Sequence, residues 1–260
     1  MKIATVSFNS LWEDKKSNLI RFEKIVKSLK GLTEFVVFPE MTLTGFSISN
    51  LDLAEDTKDS ISLKKVKEIA KKNNMNIILG LMTSKQSKIY NSCISVNSEG
   101  KIECSYEKIH LFSFANENEF LKNGKKLQSV SWPGGWGLSI CFDLRFPEIY
   151  QHLSKRNLIL INIANWPNSR TDHWFSLLKA RAIENQSFMV GVNRSGIDGK
   201  GLEYDESSCI YSPEGDKLNY NEISKEIKIF DINLEDAISY RTRFPFKDNR
   251  INSFYKNLYK

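Results

Sequence analysis

The sequence predicts a layered α/β sandwich with strands inside, helices outside and mixed β-sheets. Three observations support this fold class. Apolar runs with many β-branched residues alternate with amphipathic helical patterns along much of the chain. Turn signals join some neighbouring strands directly. No Pro-, Ser- or Gly-rich linker and no internal repeat divides the 260 residues, so we expect one domain over residues 1–260.

Eight runs rich in Val, Ile, Leu and Phe have the length and composition of buried strands. They occupy residues 3–8, 35–38, 77–82, 89–96, 138–141, 158–163, 188–192 and 227–229. Hairpin turns are predicted at residues 97–100 and 213–215, where Asn, Ser, Pro and Gly follow strand-like runs. Because hairpins join antiparallel strands, the sheets must be mixed.

Helical periodicity appears between several of these strands. Three stretches are predicted to place an apolar face against the sheets: one carrying Leu19, Phe22, Val26 and Leu29, one carrying Ile61, Val66, Ile69 and Ala70, and residues 174–185.

Composition and charge argue against several classes of protein. Hydrophobic residues make up 41% and charged residues 26%, which is enough apolar material for a sizeable core. The 37 Lys+Arg exceed the 31 Asp+Glu by six, but the lysines are scattered and form no basic block. We therefore expect no nucleic-acid partner.

The compartment follows from the cysteines and the amino-terminal residues. Four cysteines, at positions 93, 104, 141 and 209, have no CxxC spacing, and no apolar run approaches the length of a membrane span. The first ten residues do not resemble a signal peptide. We therefore expect a cytoplasmic protein with reduced thiols, no metal site and no membrane contact.

Three reactive side chains stand at or just beyond the ends of strand-like runs. Glu40 follows residues 35–38, Lys108 lies in the strand-like segment 106–112, and Cys141 ends the run 138–141. Ligands of α/β proteins tend to bind beyond the carboxyl ends of strands, so these three residues are predicted to meet in one pocket.

The three residue types suit acyl transfer. A thiol is mostly protonated at neutral pH and needs a base such as Glu40 to become a nucleophile. Lys108 and the backbone N–H of Phe142 could stabilise the oxyanion that forms on attack. Taken singly, a buried Cys, a Glu after Pro and a solvated Lys have ordinary structural explanations. Their occurrence in three matching contexts favours catalysis.

The same segments resemble the signature of the nitrilase, or carbon–nitrogen hydrolase, superfamily with its Glu-Lys-Cys triad. Five ordered motifs carry the resemblance: FPEM at 38–41, EKIHLF at 107–112, CFDLRFPE at 141–148, ANWP at 164–167 and RAIENQ at 181–186. The resemblance implies a four-layer αββα sandwich and hydrolysis without a metal or other cofactor. It also implies pairing of protomers into a homodimer or a higher homo-oligomer.

The second glutamate of the site and the carboxyl-terminal arm each allow two interpretations. The family has a second glutamate between its lysine and cysteine, which is matched here by Glu117 or, as an alternative, by Glu119. The aromatic and basic carboxyl-terminal arm, about residues 240–260, could pack on a partner subunit or on its own core.

The motif combination looks most like the omega-amidase branch, which hydrolyses the side-chain amide of 2-oxo acid monoamides such as 2-oxoglutaramate and 2-oxosuccinamate. Such a substrate carries a carboxylate that a guanidinium can hold with two hydrogen bonds. Arg145 and Arg170 are the candidates. An ion pair of Arg145 with Asp143 or Glu148, and solvation of Arg170 at a helix start, are the competing interpretations.

Trp166 is predicted either to wall the substrate pocket or to lie in the core. Phe142 stands where many relatives carry tyrosine, a change that leaves its backbone N–H unaltered.

Alternative activities share most of this chemistry. A nitrilase, an N-carbamoyl amidase or another aliphatic amidase of the superfamily would use the same triad. A papain-like protease is disfavoured, because none of the three histidines lies in a protease-like context.

Overall fold

The structure, a computed structural model, describes residues 1–258, and the side chains of residues up to 256. It contains fifteen strands and seven α-helices within these residues. The strands are β1 (Lys2–Val6), β2 (Phe35–Val37), β3 (Glu55–Asp56), β4 (Asn76–Lys85), β5 (Lys88–Val96), β6 (Ile102–Glu107), β7 (Ser129–Val130), β8 (Trp136–Ile140), β9 (Ile159–Ala164), β10 (Phe188–Asn193), β11 (Gly196–Ile197), β12 (Glu203–Tyr204), β13 (Cys209–Tyr211), β14 (Asn221–Ser224) and β15 (Ile227–Asp231). The helices are α1 (Lys15–Ser28), α2 (Ile61–Asn73), α3 (Glu117–Phe120), α4 (Pro147–Leu153), α5 (Thr171–Asn185), α6 (Leu234–Arg243) and α7 (Asn252–Leu258).

Two mixed sheets form the centre of the molecule. The first has the order β14-β15-β1-β2-β4-β5-β6, with β3 paired to β4, and the second has the order β13-β10-β9-β8-β7. In the first sheet, β1, β2 and β4 are parallel, whereas β5 is antiparallel to both β4 and β6. Strands β8, β9 and β10 are parallel in the second sheet. The mixed pairing and the predicted hairpin at residues 97–100 are therefore confirmed.

Three hydrophobic cores define four layers. One core lies between the two sheets, a second lies between the first sheet and helices α1 and α2, and a third lies between the second sheet and helices α4 and α5. This arrangement confirms the predicted αββα sandwich. Alternation of side chains along each strand divides the residues between cores. In β2, for example, Phe35 and Val37 enter the central core, while Val36 faces the outer helices.

This two-sided burial explains the sequence pattern. A strand covered on both faces needs apolar side chains in both directions, so it is encoded by a continuous apolar run. The run in β9 is an example, since Ile161 faces the central core and Leu160 faces α4 and α5.

One predicted helical face was wrong. Ile61 was grouped with Val66, Ile69 and Ala70, but 78% of its surface is exposed. It is the first residue of α2, and the helical turn of about 100° per residue places it roughly 140° from Val66. Leu63 takes the buried position instead.

The strand directions bring four chain segments to one edge of the sandwich. Strands β2 and β6 run the same way in the first sheet and end just before Glu40 and Lys108. In the second sheet, β8 and β9 end at Ile140 and Ala164. Within residues 1–258, no helix is both long enough and apolar enough to cross a membrane.

The carboxyl-terminal arm makes polar contacts with its own chain. Arg241 donates to the carbonyl oxygens of Gln186 and Asn157 at 2.9 and 3.0 Å, and Lys247 donates to the Ser154 hydroxyl at 2.9 Å. Further along the arm, the aromatic ring of Phe254 is exposed. Tyr259 and Lys260, which belong to the predicted arm, lie outside the described residues.

Candidate active site

A buried cation lies at the centre of the candidate site. The Lys108 ammonium is 3.0 Å from Glu40 Oε1 and 2.9 Å from Glu117 Oε2, and all three side chains are fully buried. Burial acts against the charge on Lys108, but the nearby Glu117 and Glu40 carboxylates raise its pKa above the ordinary lysine value. Lys108 is therefore a permanent cation at neutral pH.

The structure separates the two candidates for the second glutamate. Glu117, at the start of α3, contacts Lys108 with both oxygens and also accepts the backbone N–H of Phe112 at 2.7 Å. Glu119 lies on the same short helix and is exposed. Glu117 is the residue that joins the site.

Two asparagines complete the polar contacts of Glu40. Asn91, in β5, donates from Nδ2 to Glu40 at 2.7 Å and to Glu117 at 2.9 Å. Asn165 follows β9 and donates its backbone N–H to Glu40 Oε2 at 2.8 Å, and its side chain donates to the Glu40 carbonyl at 2.8 Å. These hydrogen bonds hold the carboxylate in one orientation.

Neither asparagine was predicted from the sequence to belong to the site. A signal existed for Asn165, which directly follows a strand inside the ANWP motif, as the three predicted residues follow theirs. Asn91 had no such signal, because it lies within β5 and is separated from Glu40 by about 50 residues of chain.

Cys141 directly follows β8 and is the first residue of a short 3-10 turn that spans Cys141–Arg145. Its φ of 43° lies in the left-handed region, which non-glycine residues rarely adopt and which persists only where the surrounding structure enforces it. The sulfur lies 3.9 Å from the Asn165 carbonyl oxygen, and the residue is half-buried. Phe142 follows directly, so its N–H belongs to the same turn.

The surroundings of Cys141 disfavour its thiolate. Desolvation raises the thiol pKa well above the ordinary value, and the Glu40 charge raises it further, while Lys108 acts in the opposite direction. The charges of Glu40, Lys108 and Glu117 all act on this one sulfur. The thiol is therefore protonated at neutral pH until a base removes its proton.

A cavity of about 110 Å³ opens onto this cluster. It is lined by Lys108, Cys141, Phe142 and Asn165 together with Arg145, Trp166 and Arg170, and by Phe46, Phe112, Ala115, Pro167, Asp198, Lys200 and Leu202. All predicted substrate-binding residues thus lie around one pocket. A larger cleft of about 910 Å³, between α4, the end of α5 and the carboxyl-terminal arm, contains none of them.

Two guanidinium groups are placed by aromatic rings around the cavity. Arg145 lies 4.9 Å from the Trp166 ring centroid, and Arg170 lies 5.8 Å from that of Phe112. Desolvation lowers the pKa of Arg145, and the charge of Arg170 lowers it further. Two cations that repel each other therefore lie beside one small cavity, and an anion between them would offset this repulsion.

The contacts of Asp143 bear on the alternative in which Arg145 forms an ion pair with this residue. The carboxylate of Asp143 accepts hydrogen bonds from Tyr106, His110 and the backbone of Ile140, so its oxygens have other donors than Arg145.

Trp166 lies both in the core and at the pocket, the two positions predicted for it. It packs on Trp174 in an outer core, with ring centroids 5.4 Å apart, and also lines the cavity. Its indole N–H donates to the Arg170 carbonyl at 2.8 Å, which ties that segment to the pocket wall.

The loop between β11 and β12 was also not predicted from the sequence to belong to the site. It contributes Lys200 and Leu202 to the cavity. The buried carboxylate of Asp198 fixes the loop by accepting the backbone N–H groups of both residues and the Tyr204 hydroxyl, at 2.8–3.0 Å. Lys200 therefore joins Lys108, Arg145 and Arg170 as a fourth cationic residue in the pocket lining.

Comparisons with known proteins agree with this architecture. Residues 2–242 match the carbon–nitrogen hydrolase family. The chain is 32% identical to a 2-oxoglutaramate amidase of Bacillus subtilis, over 95% of this chain and 96% of the relative. It is also 32% identical to the omega-amidase YafV of Escherichia coli, over 94% of each chain.

A solved structure shows the same fold. The carbon–nitrogen hydrolase superfamily protein XC1258 from Xanthomonas campestris superposes with a TM-score of 0.89 and 27% identity, over 96% of this chain and 97% of that protein. Its active site carries an arsenic adduct. The superfamily assignment and the predicted enzyme class are thereby confirmed, and the chain belongs to the carbon–nitrogen hydrolase family.

Proposed function

We propose that this carbon–nitrogen hydrolase is an amidase that cuts the side-chain amide of small 2-oxo acid monoamides, such as 2-oxoglutaramate and 2-oxosuccinamate, to a dicarboxylate and ammonia. The observation that supports it most directly is the single cavity that carries the Cys141 thiol at one part of its wall and Arg145 and Arg170 at another. The relatives named for 2-oxoglutaramate and omega-amide hydrolysis support the same substrate class.

In the proposed first half-reaction, the Cys141 proton passes to Glu40 as the sulfur attacks the amide carbon. The C=O bond becomes a C–O⁻ bond, which the Lys108 ammonium and the Phe142 N–H stabilise. The proton on Glu40 then moves to the amide nitrogen, the C–N bond breaks, and ammonia leaves an acyl thioester on Cys141.

The second half-reaction repeats these roles with water. Glu40 takes a proton from water, the hydroxide attacks the thioester carbon, and the C–S bond breaks as the proton returns to the sulfur. The products are a carboxylic acid, which ionises, and the free thiol. Glu117 holds Lys108 in place through both half-reactions.

The charges of the site favour this coupled sequence. A free thiolate beside Glu40 and Glu117 would put three negative charges around one ammonium, in agreement with the raised pKa of the Cys141 thiol. Transfer of the proton to Glu40 during attack keeps the net charge of the buried cluster constant. The oxyanion gains the negative charge that Glu40 loses.

The substrate's remote carboxylate is assigned to Arg145 and Arg170, with Lys200 as a further cation at the loop. A cavity of about 110 Å³ suits a short linear acid and excludes a polypeptide. Other hydrolases of the superfamily, such as a nitrilase, an N-carbamoyl amidase or another aliphatic amidase, are the alternative.

The test is an ammonia-release assay with 2-oxoglutaramate, N-carbamoyl-β-alanine, glutamine and a simple nitrile. We expect the highest kcat/KM for 2-oxoglutaramate, and a preference for any other compound would overturn the substrate assignment. Cys141→Ala should abolish turnover while far-UV circular dichroism and the melting curve stay close to wild type. Turnover by Cys141→Ala would remove Cys141 from the proposed role.

A further inference from the structure

A buried carboxylate joins the two segments that carry Lys108 and Cys141. Asp143 is fully buried and lies two residues after Cys141 in the short 3-10 turn. Its Oδ1 accepts the backbone N–H of His110 at 3.0 Å and lies 2.8 Å from His110 Nδ1. Because a carboxylate accepts hydrogen bonds, this contact assigns the ring proton to Nδ1.

The second oxygen of Asp143 makes a matching pair of contacts. Oδ2 accepts the Tyr106 hydroxyl at 2.7 Å and the backbone N–H of Ile140 at 3.0 Å. The Tyr106 oxygen in turn accepts the N–H of Ile109 at 3.2 Å. Desolvation and the charge of Asp143 both raise the pKa of Tyr106, which keeps its hydroxyl a donor.

These contacts bracket both reactive residues. Tyr106 and His110 stand two residues before and two residues after Lys108, while Ile140 and Asp143 stand on either side of Cys141. One carboxylate therefore holds the lysine segment of the first sheet against the cysteine turn of the second sheet. Four donors around one buried acid form a charge-assisted network, which is stronger than four isolated neutral hydrogen bonds.

The network also holds Cys141 in its strained backbone conformation. Cys141 adopts a φ of 43°, a conformation that persists only when the surrounding structure enforces it. The bond from Ile140 N–H to Asp143 spans this residue from one side to the other. If the bond is lost, the turn can relax toward a negative φ, and the sulfur moves relative to Lys108.

We propose that Asp143 is a positioning residue which, through His110 and Tyr106, sets the separation between the Lys108 ammonium and the Cys141 sulfur. This inference rests on the proposed roles of Lys108 and Cys141. It adds three residues to the machinery that touch neither the reacting atoms nor the substrate.

His110 provides a clean pair of variants. Its ring is half-buried and stacks on Phe146, with centroids 3.7 Å apart and planes within 10°. His110→Phe keeps an aromatic ring for this stack but removes the Nδ1 donor. His110→Asn loses the ring but retains an N–H donor near the position of Nδ1. If the hydrogen bond to Asp143 positions the two segments, His110→Asn should retain the wild-type geometry of the site and His110→Phe should lose it.

The readout is the rate at which iodoacetamide alkylates Cys141 as a function of pH, located by mass spectrometry. Withdrawal of Lys108 from the sulfur raises the pH at which the thiolate forms. We expect His110→Phe to shift the profile to higher pH and to lower kcat about 10-fold with KM within twofold. His110→Asn should keep the wild-type profile. Equal profiles for the two variants would overturn the proposal.

Asp143→Asn gives the larger perturbation, because one oxygen becomes a donor that faces existing donors. We expect a loss of kcat of about 100-fold, the effect of a misplacement near 1 Å. Thr33→Val is the control for simple destabilisation. It removes hydrogen bonds to the Lys2 and Phe35 carbonyls, at the end of β2 opposite Glu40. It should lower the melting temperature without moving the alkylation profile.

The proposed function and the positioning role of Asp143 can be refuted independently of each other. The alkylation profile needs no substrate, so it tests the positioning network even if the amide panel gives no turnover. If Asp143→Asn does not fold, the His110 pair decides alone. A wild-type profile in His110→Phe, with turnover also unchanged, would leave the proposed function intact and remove the positioning role.

Discussion

Lys108 is a buried charge with two buried partners, and this balance dominates the site at the scale of single residues. An isolated ion in a protein interior is very unfavourable, so each member of such a cluster depends on the others. Glu40 and Glu117 have additional donors in Asn91 and, for Glu40, Asn165. The lysine is the only cation that they share among the described contacts.

Replacement of Lys108 by Met should therefore damage both stability and catalysis. The two carboxylates lose their counter-ion, which should lower the free energy of unfolding by about 3–5 kcal/mol. Loss of the oxyanion contact should lower kcat by about 10²–10³-fold. Urea unfolding and ammonia release measure the two effects.

Lys101→Met provides the matched control for Lys108→Met. Lys101 forms an exposed pair with Glu99 in the β5–β6 hairpin. Since exposed pairs are screened by water and salt, no measurable change is expected in either assay. A stability loss in Lys101→Met equal to that in Lys108→Met would contradict the importance given to burial.

The buried thiols make stability depend on pH. Desolvation raises the pKa of Cys209 from 9.0 to about 12. A thiol of the unfolded chain ionises first as the pH rises, so the unfolded state binds fewer protons and stability falls above about pH 9. Stabilisation by the protonated thiol is complete below pH 9 and is lost toward pH 12.

Cys209→Ala tests this dependence by removing one titrating group from the second sheet. Between pH 9 and 10.5, urea unfolding of wild type should show a steeper fall of stability than the variant, by up to about 1.4 kcal/mol per pH unit. Identical slopes for the two proteins would show that this thiol ionises in the folded chain.

At the scale of secondary-structure elements, the end of β2 is shaped by a glycine in β4. A Cβ at Gly80 would lie 2.5 Å from Glu40 Cα and from Met41 N, which are backbone atoms that cannot move without shifting the chain. Gly80 also bonds this segment on both sides, through its N–H to Pro39 and its carbonyl to Thr42. The element that carries the proposed base thus fits only against a residue without a side chain.

Gly80→Ala should displace Glu40 and reduce kcat more than KM, with a stability loss of about 1–3 kcal/mol from overpacking. Gly31→Ala is the matched control. Gly31 has a φ of 81° and no heavy atom within 4 Å of an added Cβ, so it costs only backbone strain, about 1 kcal/mol. Its kcat should equal that of wild type.

The sequence predicted elements better than it predicted contacts between them. The end of β2 was visible because the apolar run stops just before Pro39 and Glu40, and Cys141 was only one residue beyond its strand. Strand β6, which precedes Lys108, has the mixed sequence IECSYE and was not among the predicted strands. The Asn91 contact was invisible, since it depends on which face of the sheet carries the Asn91 side chain and on how the chain after β2 crosses that face. The error at Ile61 has a similar origin, because composition marked a residue as apolar while helix geometry placed it in solvent.

At the scale of the whole molecule, we propose a homodimer or higher homo-oligomer in which the carboxyl-terminal arm takes part. Arg241 and Lys247 fasten the first half of the arm to its own chain. Beyond them, Ile251 and Phe254 remain exposed by 67% and 58%. Exposed aromatic and aliphatic side chains close together are typical of a contact surface.

Light scattering on the full chain and on a chain ending at Asn249 tests this proposal. We expect the full chain to have at least twice the mass of one subunit and the shortened chain to have a lower mass. Phe254→Ser in the full chain is the milder variant and should weaken association in the same direction. Equal masses for all three would assign the arm to intramolecular packing.

The division of the site between the two sheets has one more consequence. Glu40 and Lys108 follow strands of the first sheet, whereas Cys141 and Asn165 follow strands of the second. Neither half alone holds both a nucleophile and a base. A partly folded chain with loosened sheets would keep its helices and strands and yet hydrolyse nothing, so turnover reports native closure of the sandwich more sharply than any spectroscopic measure of secondary structure.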